Sequence, residues 1–122
     1  MSHTFGSGVR LRSRGEFVAV QEHGRRVSTR FMILLGQPNA LTCDRLGIIA
    51  SRKFGGAVAR NRAKRRLREL FRRQSPAAAA ARGDRPFDLV AIPRRDLLSA
   101  TLADVETDFH AALRKLRGSR VS

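Results

Sequence analysis

Hydrophobic positions along this chain change period several times, and each change marks an element. Ser13-Arg14-Gly15-Glu16 has the Ser-x-x-Glu form in which serine and glutamate cap each other's backbone, and Phe17, Val18 and Val20 follow it. A first helix of about three turns is predicted here, stopping near Gly24. Phe31-Met32-Ile33-Leu34-Leu35 reads as a strand, Gln37-Pro38-Asn39 as a turn, and Arg45 to Ser51 as a second strand expected to pair antiparallel with the first. Past Gly55-Gly56 the period becomes helical. Ala59, Ala63, Leu67, Leu70 and Phe71 form one apolar stripe, which predicts a helix to Arg73.

The next stretch, residues 74–86, holds five consecutive alanines between Pro76 and Pro86 and is expected to be a loop. Phe87 to Ile92 has the continuous apolar character of a buried strand, ended by Pro93. Thr101-x-x-Asp104 is placed to cap a last helix carrying Leu102, Val105, Phe109, Ala112, Leu113 and Leu116. The order α-β-β-α-β-α implies an α/β sandwich, helices over a small sheet, with the strand order left open. Its 122 residues suit one domain, placed at 10–117 between tails at 1–9 and 118–122. No apolar run approaches the roughly 18 residues that span a bilayer, and residues 1–12 lack the apolar middle of a signal peptide, so a cytoplasmic protein is expected.

Charge narrows the picture. Lys and Arg number 25 against 10 Asp and Glu, a net charge of +15, and only Lys53, Lys64 and Lys115 among the bases are lysines. Arginine's planar fork pairs with phosphate and stacks on bases, although a GC-rich coding bias would also raise its share. Between Arg45 and Arg73 eleven bases face one acid, Glu69, a local charge of +10. On the central helix the rows 60-64-68 and 61-65-68-72 lie away from the apolar stripe, so one face packs and the other is cationic. A merely solvated face mixes signs. Here like charges repel at i,i+4 and Arg60 and Arg62 oppose the helix dipole, penalties that a bound polyanion reverses. The small side chains of the apolar stripe suit packing on a sheet rather than a membrane surface, and neither zinc-finger spacing nor zipper heptads point to DNA. RNA is the expected partner. Cys43 is the single cysteine, and His3, His23 and His110 are scattered, so no metal-ligand spacing is present.

The stretch from Leu46 through Gly47-Ile48-Ile49-Ala50-Ser51-Arg52-Lys53-Phe54-Gly55-Gly56 to Arg60-Asn61-Arg62-Ala63-Lys64-Arg65-Arg66-Leu67-Arg68-Glu69 closely resembles the signature of the bacterial ribonuclease P protein subunit. The Arg-Asn-Arg-x-Lys-Arg core is its most specific part, and the resemblance runs over nearly the whole chain, from Arg10-Leu11 to Leu116. It implies an α+β sandwich of order α-β-β-(β)-α-β-α with a left-handed βαβ crossover through the central helix, against the usual hand. It also implies an activity: removal of the 5′ leader of precursor tRNA, by a holoenzyme whose RNA subunit holds the catalytic centre and the Mg2+ ions. The protein itself would carry no catalytic residue and no metal site.

The resemblance assigns Arg60, Asn61, Arg62, Lys64, Arg65, Arg66 and Arg68 to binding of the RNA subunit, cations to phosphates and the asparagine amide to directional hydrogen bonds. It further implies a cleft between the first helix and the sheet that holds the single-stranded leader. Strand alternation then proposes Met32 and Leu34 as cleft-facing, with Gly47, Ile49 and Ser51 from the second strand, Phe17 from the helix, and Arg52 and Lys53 reaching phosphates. The chain departs from the family where aromatics often stand: it has Gln21 and Leu34 there and no Tyr or Trp, so leader contacts lean on apolar packing and arginine planes. The alternative is a ribosomal-protein-like or general RNA-binding or chaperone protein, which needs the charge but not the Arg-Asn-Arg context. A protein-only nuclease would need clustered carboxylates for two metal ions, whereas six of the ten acids lie after residue 80, mostly at cap and exposed helix positions.

Overall fold

The structure, a computed structural model, describes residues 10–11, 13–39, 43–73 and 85–118. The expected tails and the 74–86 loop fall outside these apart from Arg85, Pro86 and Gly118, and Gly118 belongs to the last helix rather than to a tail. Helix α1 (Arg14–His23) begins as its sequence dictates: the Glu16 N–H donates to Ser13 Oγ (3.2 Å) and the Ser13 N–H donates to Glu16 Oε1 (3.0 Å). It ends where Gly24 N–H closes on the Val20 carbonyl. The strands are β1 (Arg25–Ser28), β2 (Met32–Pro38), β3 (Arg45–Ile48) and β4 (Phe87–Pro93). The other helices are α2 (Ala57–Arg72), a single-turn α3 (Asp96–Ser99) and α4 (Leu102–Gly118), whose Thr101 Oγ1 accepts from the Asp104 N–H at 3.1 Å.

Two expectations change. The antiparallel pairing of β2 with β3 is not formed, because β4 inserts between them: the sheet order is β1-β2-β4-β3, with β1–β2 and β2–β4 antiparallel and β3–β4 parallel. A long crossover through α2 is what a parallel neighbour requires. The turn expected at Gln37-Pro38-Asn39 is strand as far as Pro38, which stands opposite Phe87. The additional strand β1, Arg25-Arg26-Val27-Ser28, has no apolar alternation and exists through its ladder with β2.

Helices cover both faces of the sheet. On one, Ala63, Leu67, Leu70 and Phe71 of α2 and Val105, Phe109, Ala112, Leu113 and Leu116 of α4 pack on Met32, Leu34, Leu46, Leu89 and Ala91. Gly36 lets α4 approach β2 closely, since a Cβ there would lie 2.5 Å from Leu116 Cδ2. On the other face a smaller core joins Leu11, Val20, Leu35 and Val90 under α1. The apolar stripe of α2 is buried as its period predicts, which turns the cationic rows outward.

Candidate nucleic-acid interface

Helix α2 enters from Gly56, which supplies no side-chain cap, and has no acid in its first turn. Its N-terminal N–H groups therefore carry an uncompensated positive end, to which Arg60 and Arg62 add. Asn61, Arg62 and Arg65 are exposed, with Arg60, Lys64 and Arg68 half-buried on the flanks. Among the described residues no acid pairs with Arg60, Arg62, Lys64, Arg65 or Arg68. The C-terminal end differs. Arg72 meets Glu69 at 2.6 Å and holds that carboxyl below its ordinary range, and Arg73 lies 3.8 Å from Glu106. Cations are thus neutralised where the dipole already favours them and left bare where it opposes them. Val58, 74% exposed, stands one turn before Arg62 on the same outward side.

Two of the expected RNA-contact arginines have partners inside the protein. Arg60 Nη1 donates to the Gly55 carbonyl at 3.0 Å, which fixes the entry of the helix and leaves its guanidinium at that end. Arg66 Nη1 donates to the carbonyls of Leu97 (3.0 Å) and Ala100 (2.7 Å), clasping the end of α3 against α2. Arg66 therefore has a structural duty, tying α3 to α2, beside the RNA contact expected of it.

On the opposite face of the sheet α1 is seated by an ion network. Arg45 donates to Asp88 through Nε (2.9 Å) and Nη2 (2.8 Å) and to Glu16 Oε2 through Nη1 (3.0 Å), while Asn39 Nδ2 reaches Asp88 Oδ1 at 2.8 Å. The bidentate Asp88 contact raises the Arg45 pKa above its already high ordinary value. One residue beyond Glu16, the half-buried ring of Phe17 lies against Gly47, where a Cβ would stand 2.5 Å from Phe17 Cε2. The ladder registers then define two rows across this face. Leu35, Val90 and Gly47 form the row beneath α1. Ile33, Ile92 and Ile49 form the next, half-exposed, with the Ile49 N–H on the Ala91 carbonyl at 3.0 Å extending the ladder one residue past β3.

Met32 and Leu34, expected in this cleft, are 0% exposed in the core beneath α2 and α4. Alternation along β2 is the reverse of that assumed, and Ile33 and Leu35 take the α1 side. Every residue from Phe31 to Leu35 is apolar because both faces are covered, so the parity cannot be read from the run itself. Ile33, Val90 and Ile92 were missed for this reason. Phe17, Gly47 and Ile49 stand on the expected face. Ser51, Arg52 and Lys53 are exposed in the turn that leads from the isoleucine row to α2. Buried Phe54 anchors that turn, its carbonyl held by Arg95 Nη1 at 3.0 Å.

Among the described residues no three His, Cys, Asp or Glu side chains cluster so as to hold a metal ion, and no helix is long and apolar enough to cross a membrane. Cys43 is half-buried. A mixed α/β domain with a bare cationic helix end, joined by a basic turn to an apolar strip, is a nucleic-acid-binding module.

Known proteins give that class a family. The family model described as Ribonuclease P matches residues 5–117. The ribonuclease P protein component of Thermotoga maritima is 37% identical over 97 residues, covering 80% of this chain and 79% of that one. That of Citrifermentans bemidjiense is 34% identical over 116 residues, 95% of each. The solved ribonuclease P protein from Thermotoga maritima superimposes with a TM-score of 0.74 at 32% identity, covering 89% of this chain and 98% of that one. The one from Staphylococcus aureus does so with 0.69 at 25%, covering 87% and 93%. The chain belongs to the ribonuclease P protein family.

Proposed function

We propose that the protein binds the catalytic RNA of ribonuclease P through α2 and the 5′ leader of precursor tRNA across the α1 face, assisting endonucleolytic removal of the leader. The observation that carries this reading is the cationic face of α2, where Arg60, Arg62, Lys64, Arg65 and Arg68 have no acid partner among the described residues. Arg60, Arg62, Lys64, Arg65 and Arg68 neutralise phosphates there, and the Asn61 amide supplies directional hydrogen bonds. The half-exposed Ile33–Ile92–Ile49 row with the Phe17 ring gives leader bases an apolar bed, and Ser51, Arg52 and Lys53 reach the adjoining backbone. Phe17 supplies the one aromatic surface on this face for base stacking among the described residues, so aliphatic contact carries the rest.

Catalysis is assigned to the RNA subunit. Asp44, Asp88 and Glu16 fit poorly as metal ligands, because Arg117 and Arg45 engage them. Magnesium in this reading belongs to the RNA and the substrate. A cytoplasmic ribonucleoprotein with no membrane partner and no obligatory protein partner completes the proposal.

Cleavage of a 5′-extended precursor tRNA at low magnesium tests it, with this protein alone, with a bacterial ribonuclease P RNA alone, and with both. Accurate leader removal only in the mixture is the expected result. Cleavage by the protein alone, or no stimulation of a competent RNA, overturns the reading, and the second outcome favours a general RNA-binding protein.

A further inference from the structure

A second cluster of cations lies away from α2. Arg25 and Arg26 on β1 and Arg114 and Lys115 on α4 border an open groove of about 780 Å³ floored by Val27 and Leu116. None of the four has an acid partner among the described residues, and all four are exposed. Arg117, one residue beyond this floor, points elsewhere: it donates to Asp44 Oδ2 at 2.6 Å and to the Arg85 carbonyl at 2.7 Å. The helix end therefore has an acid-paired side and a bare side, and the bare side faces the groove.

Ordinary structural causes explain each wall alone. Bases at a helix C-terminus complement its dipole, and bases on an edge strand such as β1 discourage pairing with another chain. Neither explains why the two sets face one another across a shared concavity with no counter-charge among the described residues, where each raises the cost of the other. An anion between them removes that cost. The walls are mostly arginine, which pairs with phosphate in a fork, and the aliphatic floor suits sugars and base edges. A concave floor with buried Leu116 offers nothing for insertion into a bilayer.

We infer that the β1–α4 groove is a second RNA-backbone site, separate from α2. The two lie at opposite edges of the sheet: α4 packs over β1 and β2, and α2 over β3. Three strand spacings separate those edges by about 14 Å. The protein thereby bridges two RNA segments, and this rests on the proposed RNA partnership.

Tethered cleavage tests it. Full-length protein carrying Cys43→Ala and either Val58→Cys or Gly118→Cys is derivatised with an iron chelate and assembled with a transcribed bacterial ribonuclease P RNA. Two separate regions of the RNA should be cut, one from each probe. Arg25→Gln, Arg26→Gln, Arg114→Gln and Lys115→Gln together should lower the slope of log K against log salt by about 1.4 to 1.8, the value for two phosphates, with the Val58-probe cuts retained. Cutting from the Val58 probe alone, or an unchanged slope, overturns the groove and leaves the α2 reading standing. Anionic phosphatidylglycerol vesicles that bind through the four cations while the RNA slope is unchanged overturn it as well. No cutting from either probe overturns both.

Discussion

Met32 and Ile33 are adjacent apolar residues of similar size, yet the sheet sends them to different tasks. Met32 is fully enclosed beneath α2 and α4, whereas Ile33 lies half-exposed in the isoleucine row on the α1 side. Met32→Ala should destabilise the protein by about 2 to 5 kcal/mol in urea unfolding, the cost of a core cavity. Ile33→Ala should cost less stability and instead weaken binding of leader-bearing precursor relative to mature tRNA. Equal effects of the two on both measurements would sink the assignment of strand faces. Arg66 makes the same point among cations. Arg66→Met should lower stability by about 1 to 3 kcal/mol through two unmet carbonyls, while leaving the salt slope of RNA binding within one phosphate of the parent.

At the scale of elements, α1 is positioned by a glutamate with two duties. Glu16 caps its own helix through Oε1 and holds Arg45 through Oε2, so one side chain joins the helix to the sheet and sets Phe17 over Gly47. Glu16→Ala should cost about 1 to 3 kcal/mol, measured by thermal unfolding, from the lost cap and the unpaired Arg45 contact. Precursor affinity should fall with it while affinity for the RNA subunit holds. Within α2, Glu69 is the one acid. Arg72 lowers its pKa, so the pair stabilises the folded helix above the ordinary carboxylate value of about 4.5 and loses that contribution as pH falls through the lower folded value. The stability difference between the parent and Glu69→Gln should therefore shrink as the medium is acidified from pH 5 toward pH 3, and a difference that grows would contradict it.

Across the whole molecule the net charge is +15, and among the described residues the outward face of α2 and the β1–α4 groove carry cations with no acid partner. A polyanion bound to the folded protein relieves that repulsion and shifts the folding equilibrium, by about 2.7 kcal/mol at a free concentration a hundred times Kd. Thermal unfolding with added ribonuclease P RNA should show a raised midpoint that declines as salt increases, and Arg62→Ala with Arg65→Ala should diminish the rise. A midpoint insensitive to RNA would contradict an RNA-binding α2.

The sequence by itself determined the elements whose signals are local. The Ser13–Glu16 box, the 3.6-residue stripe of α2 and the Thr101 cap need only neighbours along the chain, and so the cationic face and its Arg-Asn-Arg core were legible too. Only the tertiary structure decided the insertion of β4 between β2 and β3, the strand made of Arg25 to Ser28, and which apolar residues face α1. These depend on partners far along the chain. A strand covered on both sides is apolar at every position, so its parity is set by what packs on it; the roles of Arg66 and of the facing bases on β1 and α4 were likewise fixed by where the chain returned, not by its pattern.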